Sequence, residues 1–329
     1  MIHLLFTGGT ISMTRDERAG GNVPTHGGAT LVGTAPGLAE VAPYRIDDWG
    51  RYPACHMGPA KLWELRNRVR AVASGEMGEP PSGIVITHGT DTIEETAYLL
   101  ARTLDPEVPV AITGAMRTSS DEGWDGPGNL IDAARVAADP ASRGRGTMVV
   151  FARKVFAGCQ VTKVEATGLD AFDAPHGEPI GKVEDGRVRW DDRAAPRHAL
   201  ALPPGARPQV NPPGLTARVA QIPVVVGDMG ELLDLARKGH DGVVVEAFGS
   251  GNVPPGAVPA VRRWLAEGKP VVLATRCPRG EVTPVYAFPG GGATLVRDGV
   301  IPAGPRTPSQ ARMELLICLS AGVAYGGGQ

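Results

Sequence analysis

Short apolar runs that alternate with amphipathic helical segments constrain this chain more than any other feature. In the first half, Ile2 to Phe6 and Ile84 to Thr87 are almost entirely apolar, and helical periodicity occupies residues 60–74 and 92–104. Strands that are apolar on both sides are typical of parallel sheets whose two faces are covered by helices. The pattern therefore predicts an α/β fold with a mainly parallel sheet.

The same alternation continues along the chain and is interrupted once. The further predicted strands are Val108 to Ile112, Met148 to Phe151, 217–225, 243–247 and 270–275, and the further helices are 127–138, 228–238, 257–267 and 308–323. Residues 191–215 are Pro-rich and non-periodic, which is typical of an interdomain linker. We predict a larger N-terminal catalytic α/β domain (1–190), a linker (191–215) and a smaller Rossmann-like α/β domain (216–329).

Charge, cysteine usage and hydropathy narrow the classes of function. A formal net charge of −2 argues against nucleic-acid binding, and no apolar run is long enough to span a membrane. The four cysteines are scattered without a CxxC pair and the seven histidines show no ligand spacing, so we expect no metal. The N-terminal MIHLLFTGGTIS lacks the pattern of a signal peptide, so we expect a cytoplasmic protein.

The turn after the first strand reads TGGTI (residues 7–11). In an open parallel sheet, ligands bind beyond the carboxyl ends of the strands, and glycines permit close approach of the backbone. A simple strand-to-loop turn explains this segment equally well. A dinucleotide-binding turn is disfavoured, because the third glycine is absent and a polar loop follows.

A second Gly–Thr turn, HGTDT (residues 88–92), follows the next strong strand. Helix capping explains part of it, since Thr92 and Glu95 have the spacing of a capping box. Capping does not explain Thr90 beside Gly89, where backbone N–H groups and a hydroxyl converge and a ligand can approach the backbone. Two such turns at the ends of two core strands favour a functional site.

Residues 13–30 are polar, Gly-rich and non-periodic, and they directly follow the first strand. A segment of this kind is either a surface loop or a mobile lid over a site at the strand ends. Because it begins at the TGGTI turn, we predict a lid.

Three blocks of this sequence resemble the signature blocks of the bacterial-type L-asparaginase/glutaminase family. They are LLFTGGTIS (4–12), ITHGTDTIEETAYLL (86–100) and GAMRTSSDEGWDGPGNLIDAARVAA (114–138). The lysine of CQVTKVEATG, Lys163, and the asparagine of FGSGNVP, Asn252, also match that family. The similarity runs from residue 2 to about residue 320, and the HGTDT block is its most specific part.

The resemblance implies hydrolysis of L-asparagine to L-aspartate and ammonia without a cofactor. It implies that Thr10 is the nucleophile of an acyl-enzyme mechanism, and that Thr90, Asp91 and Lys163 form a second catalytic group. The backbone N–H groups of Thr90 and Ala115 are the implied oxyanion donors, and Asp91 would also pair with the substrate ammonium group. On the residues alone, Lys163 reads as a solvated surface lysine.

The resemblance also implies a homodimer or homotetramer, in which Asn252 completes the site of a neighbouring subunit. The residues themselves leave another interpretation open, since an asparagine in a Gly-rich turn often adopts a left-handed backbone.

Two positions depart from the family pattern. Residues 13–30 contain no tyrosine to activate the nucleophile, and Val23 is the nearest match to it. Tyr286 is a substitute from the second domain, with packing at an interface as the alternative. Ala54, followed by Cys55, stands where the family has a serine that binds the substrate carboxylate, so we expect a modest or altered affinity.

These departures keep other functions open. A glutaminase or another small-amide amidohydrolase is one, because a single methylene in a pocket changes binding by only about 1–3 kcal/mol. A catalytically weakened amino-acid sensor is another. The amide-hydrolysing subunit of a tRNA-dependent amidotransferase is disfavoured, because that subunit carries an N-terminal extension and the TGGTI turn begins here at residue 7.

Overall fold

A computed structural model describes residues 1–104, 107–191 and 214–326. The chain divides into two compact units, Met1–Pro196 and Arg197–Gln329. The predicted linker, 191–215, lies almost entirely outside the described residues and stays a prediction.

The first unit is built on one large mixed sheet. In spatial order its described strands are β12 (Arg187–Trp190), β11 (Gly181–Glu184), β8 (Lys154–Ala157), β7 (Thr147–Phe151), β6 (Val110–Thr113), β5 (Gly83–Thr87), β1 (Ile2–Gly8) and β4 (Tyr44–Tyr52). The strands from β4 to β7 are parallel, and β8, β11 and β12 are antiparallel. The predicted mainly parallel α/β sheet is confirmed.

Helices cover this sheet and bury its apolar strands. They are α1 (Gly28–Gly33), α2 (Leu38–Val41), α3 (Pro59–Ala73), α4 (Ile93–Thr103) and α5 (Gly126–Ala138). Leu4 and Phe6 of β1 share one core cluster with Leu130 and Ala133 of α5. The face of β1 with Leu4 and Phe6 is therefore covered by α5, and all seven residues of the strand are buried.

The prediction for residues 13–30 was wrong in its local structure. Most of this segment is regular, with a hairpin of β2 (Met13–Asp16) and β3 (Gly21–Pro24) followed by α1. A second short antiparallel pair consists of β9 (Thr162–Lys163) and β10 (Phe172–Asp173). Its importance is that β9 carries Lys163.

The second unit has a parallel sheet of its own, in the order β13 (Val219–Pro223), β14 (Gly242–Ala247), β15 (Val271–Thr275) and β16 (Ile301–Pro302). Its helices are α6 (Glu231–Arg237), α7 (Val258–Ala266), α8 (Gly292–Arg297) and α9 (Pro308–Ser320). Trp264 is fully buried in the core of this unit. Across the described part of the chain, no helix combines the length and hydropathy needed to cross a membrane.

Candidate active site

The two Gly–Thr turns lie side by side at the carboxyl ends of neighbouring parallel strands. β1 and β5 pair in register with Phe6 opposite Thr87, and each turn follows its strand directly. Gly9 has φ 83°, and a Cβ atom placed on it would overlap the Cα of Gly89. The backbones of the two turns are therefore in contact, and Thr10 and Thr90 each follow a glycine of this contact.

Lys163 reaches the second turn from β9. Its Nζ donates hydrogen bonds to Thr90 Oγ1 and to Asp91 Oδ1, both at 2.9 Å. The Lys163 side chain is 17% exposed, whereas the Asp91 side chain is 68% exposed. The reading of Lys163 as a solvated surface lysine was therefore wrong. One carboxylate oxygen of Glu94 accepts the backbone N–H of Lys163 at 2.9 Å, which ties β9 to the first turn of α4.

The Thr10 hydroxyl is uncommitted. Thr10 is partly exposed, and within residues 1–104, 107–191 and 214–326 its side chain makes no hydrogen bond. The hydroxyl of Ser12, by contrast, donates to the Gly9 carbonyl at 2.8 Å and stabilises the turn. A hydroxyl without a protein partner, beside an adjoining threonine–lysine pair, is available to a ligand.

The segment around Ala115 adjoins the second turn. A Cβ atom on Gly114 would lie 2.5 Å from the His88 carbonyl oxygen and 3.4 Å from Thr90 Cγ2. Ala115 itself is fully buried. The backbone that follows β6 therefore runs against the backbone that follows β5 at Gly114, the residue before Ala115.

Ala54 occupies the space beside Gly89. A Cβ atom on Gly89 would lie 2.6 Å from the Ala54 Cβ, so protein packing requires a glycine there, and ligand approach at Gly89 stays a prediction. The Thr92 hydroxyl donates to the Ala54 carbonyl oxygen at 3.3 Å and makes no cap of α4, so the capping-box explanation was wrong. Ala54 is buried and Cys55, the next residue, is exposed.

The hairpin of residues 13–24 is attached to the loop after β6. Ser119 Oγ donates to the Met13 carbonyl oxygen at 3.2 Å, and the N–H of Arg15 donates to Ser120 Oγ at 3.0 Å. His26 Nε2 lies 2.8 Å from Ser119 Oγ. Val23, at the family's tyrosine position, is paired with Thr14 within the hairpin. Whether the hairpin acts as a lid stays a prediction.

Asn252 and Tyr286 belong to the second unit. Asn252 follows β14, and its Oδ1 accepts the N–H of Gly292 at 3.3 Å. Its backbone is not left-handed, because the positive φ angles of this turn belong to Gly249 and Gly251, so that explanation of the asparagine was wrong. Tyr286 is about half exposed, and its ring lies 5.5 Å from that of Phe288.

Two buried residues that sequence reasoning passed over, His88 and Asn129, also contact the turns of the site. His88 lies in the HGTDT block and Asn129 in the block of residues 114–138, and no other feature of the sequence pointed to either residue. No group of three or more His, Cys, Asp or Glu side chains in the described part of the chain has the geometry to hold a metal ion.

Comparisons with known proteins follow the same division of the chain. The family model described as "Asparaginase, N-terminal" matches residues 1–196, and "Glutaminase/Asparaginase C-terminal domain" matches residues 218–325. The chain is 38% identical to a "Probable L-asparaginase" of Deinococcus radiodurans, over 98% of this chain and 93% of the relative. It is 30% identical to an "L-asparaginase" of Bacillus licheniformis, over 97% and 95% of the two chains.

A solved structure has the same fold. The "Probable Cytoplasmic L-asparaginase from Campylobacter jejuni" superposes with a TM-score of 0.79 at 26% identity, covering 97% of this chain and 94% of that one. Both units of the present chain are therefore represented in one known protein.

Proposed function

Because the chain belongs to the bacterial-type asparaginase/glutaminase family, we propose that it hydrolyses the side-chain amide of L-asparagine to L-aspartate and ammonia. The observation that carries this proposal is the hydrogen-bonded group of Thr90, Asp91 and Lys163 next to the turn of Thr10. It supplies a free hydroxyl, a second hydroxyl held by a lysine, and an exposed carboxylate around one point.

In the proposed mechanism Thr10 is the nucleophile. Its hydroxyl oxygen attacks the amide carbon and forms a tetrahedral intermediate, which collapses to an ester of Thr10 when the C–N bond breaks and the leaving nitrogen, which has taken up the hydroxyl proton, departs as ammonia. Water then attacks the ester, and aspartate is released with the Thr10 hydroxyl restored. The backbone N–H groups of Thr90 and Ala115 stabilise the oxyanion in both steps.

The Thr90 hydroxyl is arranged to move a proton. Lys163 Nζ donates to Thr90 Oγ1, so the hydroxyl uses its own hydrogen for a second partner. In the proposal that partner is the reacting group of the substrate, and Lys163 supports the proton transfer. The exposed carboxylate of Asp91 binds the substrate ammonium group while it also holds Lys163 in place.

Substrate preference is the finer part of the proposal. At the carboxylate position Ala54 offers no hydroxyl, so backbone N–H groups bind the substrate carboxylate, with an affinity that is modest or altered. Glutamine is the second candidate substrate. The ratio of kcat/KM for the two amino acids decides between them, and a higher value on glutamine would contradict our preference.

The first experiment measures ammonia release from asparagine for threonine variants. We expect Thr10→Ala to lower kcat by about 10³-fold or more and Thr90→Ala by about 10²–10⁴-fold. Thr30→Ala, on the exposed surface of α1, is the matched control and keeps wild-type activity. A wild-type protein that binds asparagine in calorimetry but releases no ammonia would identify an amino-acid sensor and overturn the proposal.

A lysine pair tests the second catalytic group. Lys163→Met removes the donor to Thr90, and we expect about a 10²–10⁴-fold lower kcat. Lys154 is the matched control, because its Nζ also pairs with a carboxylate, Asp170 Oδ2 at 2.6 Å, but on the surface. Lys154→Met is expected to keep its activity, and equal losses in both variants would count against a role for Lys163.

We propose a homodimer or homotetramer in which Asn252 completes the active site of a neighbouring subunit. Tyr286 would take the place of the missing hairpin tyrosine at that site. Support comes from the second unit, where large apolar side chains are exposed in one short stretch: Val225, Val226, Met229, Leu232 and Leu235. Tyr286→Phe is expected to lower kcat without unfolding, and unchanged turnover would remove this residue from the mechanism.

The proposed location is the cytoplasm. None of the four cysteines, all of which the structure describes, forms a disulfide bond, as expected in a reducing compartment, and the similar Campylobacter jejuni protein is titled cytoplasmic. Cell fractionation with an antibody against the protein tests this, and recovery outside the cytoplasm would contradict it.

A further inference from the structure

The buried ring of His88 holds the carbonyl group of the next residue. His88 Nδ1 lies 2.9 Å from the Gly89 carbonyl oxygen, and Nε2 lies 3.0 Å from the Thr96 hydroxyl oxygen. A carbonyl oxygen only accepts, so Nδ1 carries the hydrogen, and Nε2 of the neutral ring accepts from Thr96. Burial lowers the pKa of His88, which favours this neutral form.

Asn129 holds a second glycine carbonyl in the same manner. Its Nδ2 donates to the Gly114 carbonyl oxygen at 3.1 Å and to Asp125 Oδ2 at 3.0 Å, and its Oδ1 accepts from the N–H of Ala152 at 3.3 Å. Asn129 is buried. Since both amide hydrogens and the amide oxygen are engaged, the side chain is fixed in one orientation.

The N–H groups that follow the two held carbonyls, those of Thr90 and Ala115, have no acceptor among the described residues. The two N–H groups after Ala115, those of Met116 and Arg117, both donate to the Asp125 carboxylate. The surrounding hydrogen bonds thus engage the neighbouring N–H groups and leave those of Thr90 and Ala115 available.

We infer that His88 and Asn129 are positioning residues that orient the Thr90 and Ala115 N–H groups toward a shared oxyanion. All described peptide bonds are trans, and in a trans peptide the C=O and N–H groups point in opposite directions. A side chain that holds the Gly89 or Gly114 carbonyl on the protein side therefore turns the next N–H away from it. This inference rests on the proposed amide hydrolysis and assigns the preorganisation of its oxyanion site.

Variants of His88 separate donor geometry from packing. Asn places an N–H close to where Nδ1 lies, whereas Leu fills the space without a donor. We expect His88→Leu to lower kcat by about 10- to 100-fold with KM nearly unchanged, because a misdirected donor weakens only the transition state. His88→Asn should restore kcat to within about five-fold of wild type, because it keeps the required donor.

Asn129→Asp is an independent test, because the isosteric carboxyl group has at most one hydrogen, which it shares with the adjoining Asp125 carboxylate. The Gly114 carbonyl then loses its donor, and we expect about a 10- to 100-fold lower kcat. Thr113→Val is the matched control, since it also removes a buried hydrogen bond to a backbone carbonyl, that of Val150, at 2.7 Å. The Val150 carbonyl does not belong to the peptide of either oxyanion donor. The kcat of Thr113→Val should therefore stay at the wild-type value while the melting temperature of this variant falls.

Several outcomes overturn the inference. These are wild-type kcat in His88→Leu or in Asn129→Asp, no rescue by His88→Asn, or a loss of kcat in Thr113→Val that follows its melting temperature. If His88→Leu does not fold, Asn129→Asp and His88→Asn carry the kinetic test.

Crystal structures of the folded variants read the peptide orientation directly. Unrotated Gly89 and Gly114 peptides in His88→Leu and Asn129→Asp overturn the inference even if the wild-type protein proves to have no asparaginase activity. Rotated peptides in an inactive wild-type background would instead sustain the positioning roles and reject only the proposed function.

Discussion

Gly89 has no room for a side chain, because Ala54 fills the space where a Cβ atom would lie. That atom would be 2.6 Å from the Ala54 Cβ and 3.0 Å from the Ala54 N, and the second contact is with backbone. A substitution must therefore move either the HGTDT turn or the backbone at Ala54. The conformation of Gly89 itself is ordinary, with φ −73° and ψ 133°, so the constraint is steric and not conformational.

We predict that Gly89→Ala lowers kcat/KM by about 10²-fold, because a displacement of about 1 Å in an active site has effects of that size. Steady-state kinetics and thermal unfolding measure the change. Gly128→Ala is the matched control, since Gly128 lies in α5 and nothing lies within 4 Å of an added Cβ. It should stabilise the protein by about 0.4–1 kcal/mol with unchanged kinetics. Wild-type kinetics in Gly89→Ala would contradict the steric argument.

Elements of the first unit are joined away from the active site by a partly buried charge cluster. Asp47 of β4 accepts from Arg68 of α3 at 2.8 and 2.9 Å and lies 3.1 Å from His3 of β1. Burial raises the pKa of Asp47, but the hydrogen bonds with His3 and Arg68 outweigh it and lower the pKa from 3.8 to about 2. The folded chain therefore favours the ionised carboxylate more than the unfolded chain does.

Because the pKa of Asp47 is lower in the folded chain than in the unfolded chain, the free energy of unfolding should depend on pH. The contribution of Asp47 is fully present above its unfolded pKa near 4 and is lost as the pH falls toward about 2. Urea unfolding at pH 6, 4 and 3 should show a smaller loss of stability for Asp47→Asn than for wild type over this range. Asp170→Asn, which removes an exposed partner of Lys154, should follow the wild-type curve. Parallel curves for all three proteins would rule out the role of Asp47.

The elements that sequence patterns revealed are those with continuous apolar runs. The expected strand Ile84 to Thr87 is observed as Gly83–Thr87, and the expected helix 60–74 as Pro59–Ala73. The edge strand β4 was missed, because its YRIDDWGRY has no apolar run and is mostly exposed or half-buried. The antiparallel strands β11 and β12 were missed for the same reason, since charged residues occupy alternate positions.

The site was predictable where one short segment carries the chemistry. The HGTDT block pointed to Thr90 and Asp91, and the family resemblance to Lys163. The hydrogen bond of Asn129 to Gly114 was not predictable, because it links a helix to a turn 15 residues away and no local pattern encodes such a contact. The contact of Gly89 with Ala54 was not predictable either, because it joins residues 35 positions apart in the chain.

At the scale of the whole molecule, each unit has its own core, and the second unit exposes an apolar face on α6. Leu232 and Leu235 of this helix are 61% and 68% exposed, whereas Leu233 is buried. Residues three apart share one side of a helix, so these two leucines form one continuous patch. Patches of this kind usually mark contact surfaces.

We predict that Leu232→Lys combined with Leu235→Lys lowers the mass of the particle in solution, because two charges would have to be buried in the proposed subunit contact. Size-exclusion chromatography with light scattering measures the mass. Activity should fall with it if Asn252 serves a neighbouring subunit. Met77→Lys, at a partly exposed apolar position of the first unit, is the control and should keep both. An unchanged mass in the double variant would place the contact elsewhere.

The contacts of Gly9 with Gly89, of Gly89 with Ala54, and of Gly114 with His88 have a practical consequence for engineering. These three contacts involve main-chain atoms and the small side chain of Ala54, so none of them offers a large side chain to trim in order to admit a bulkier amide. Attempts to broaden the range of substrates should therefore remodel the surrounding segments, such as residues 13–24 or 53–57. Saturation of the glycine positions themselves would mostly return inactive protein.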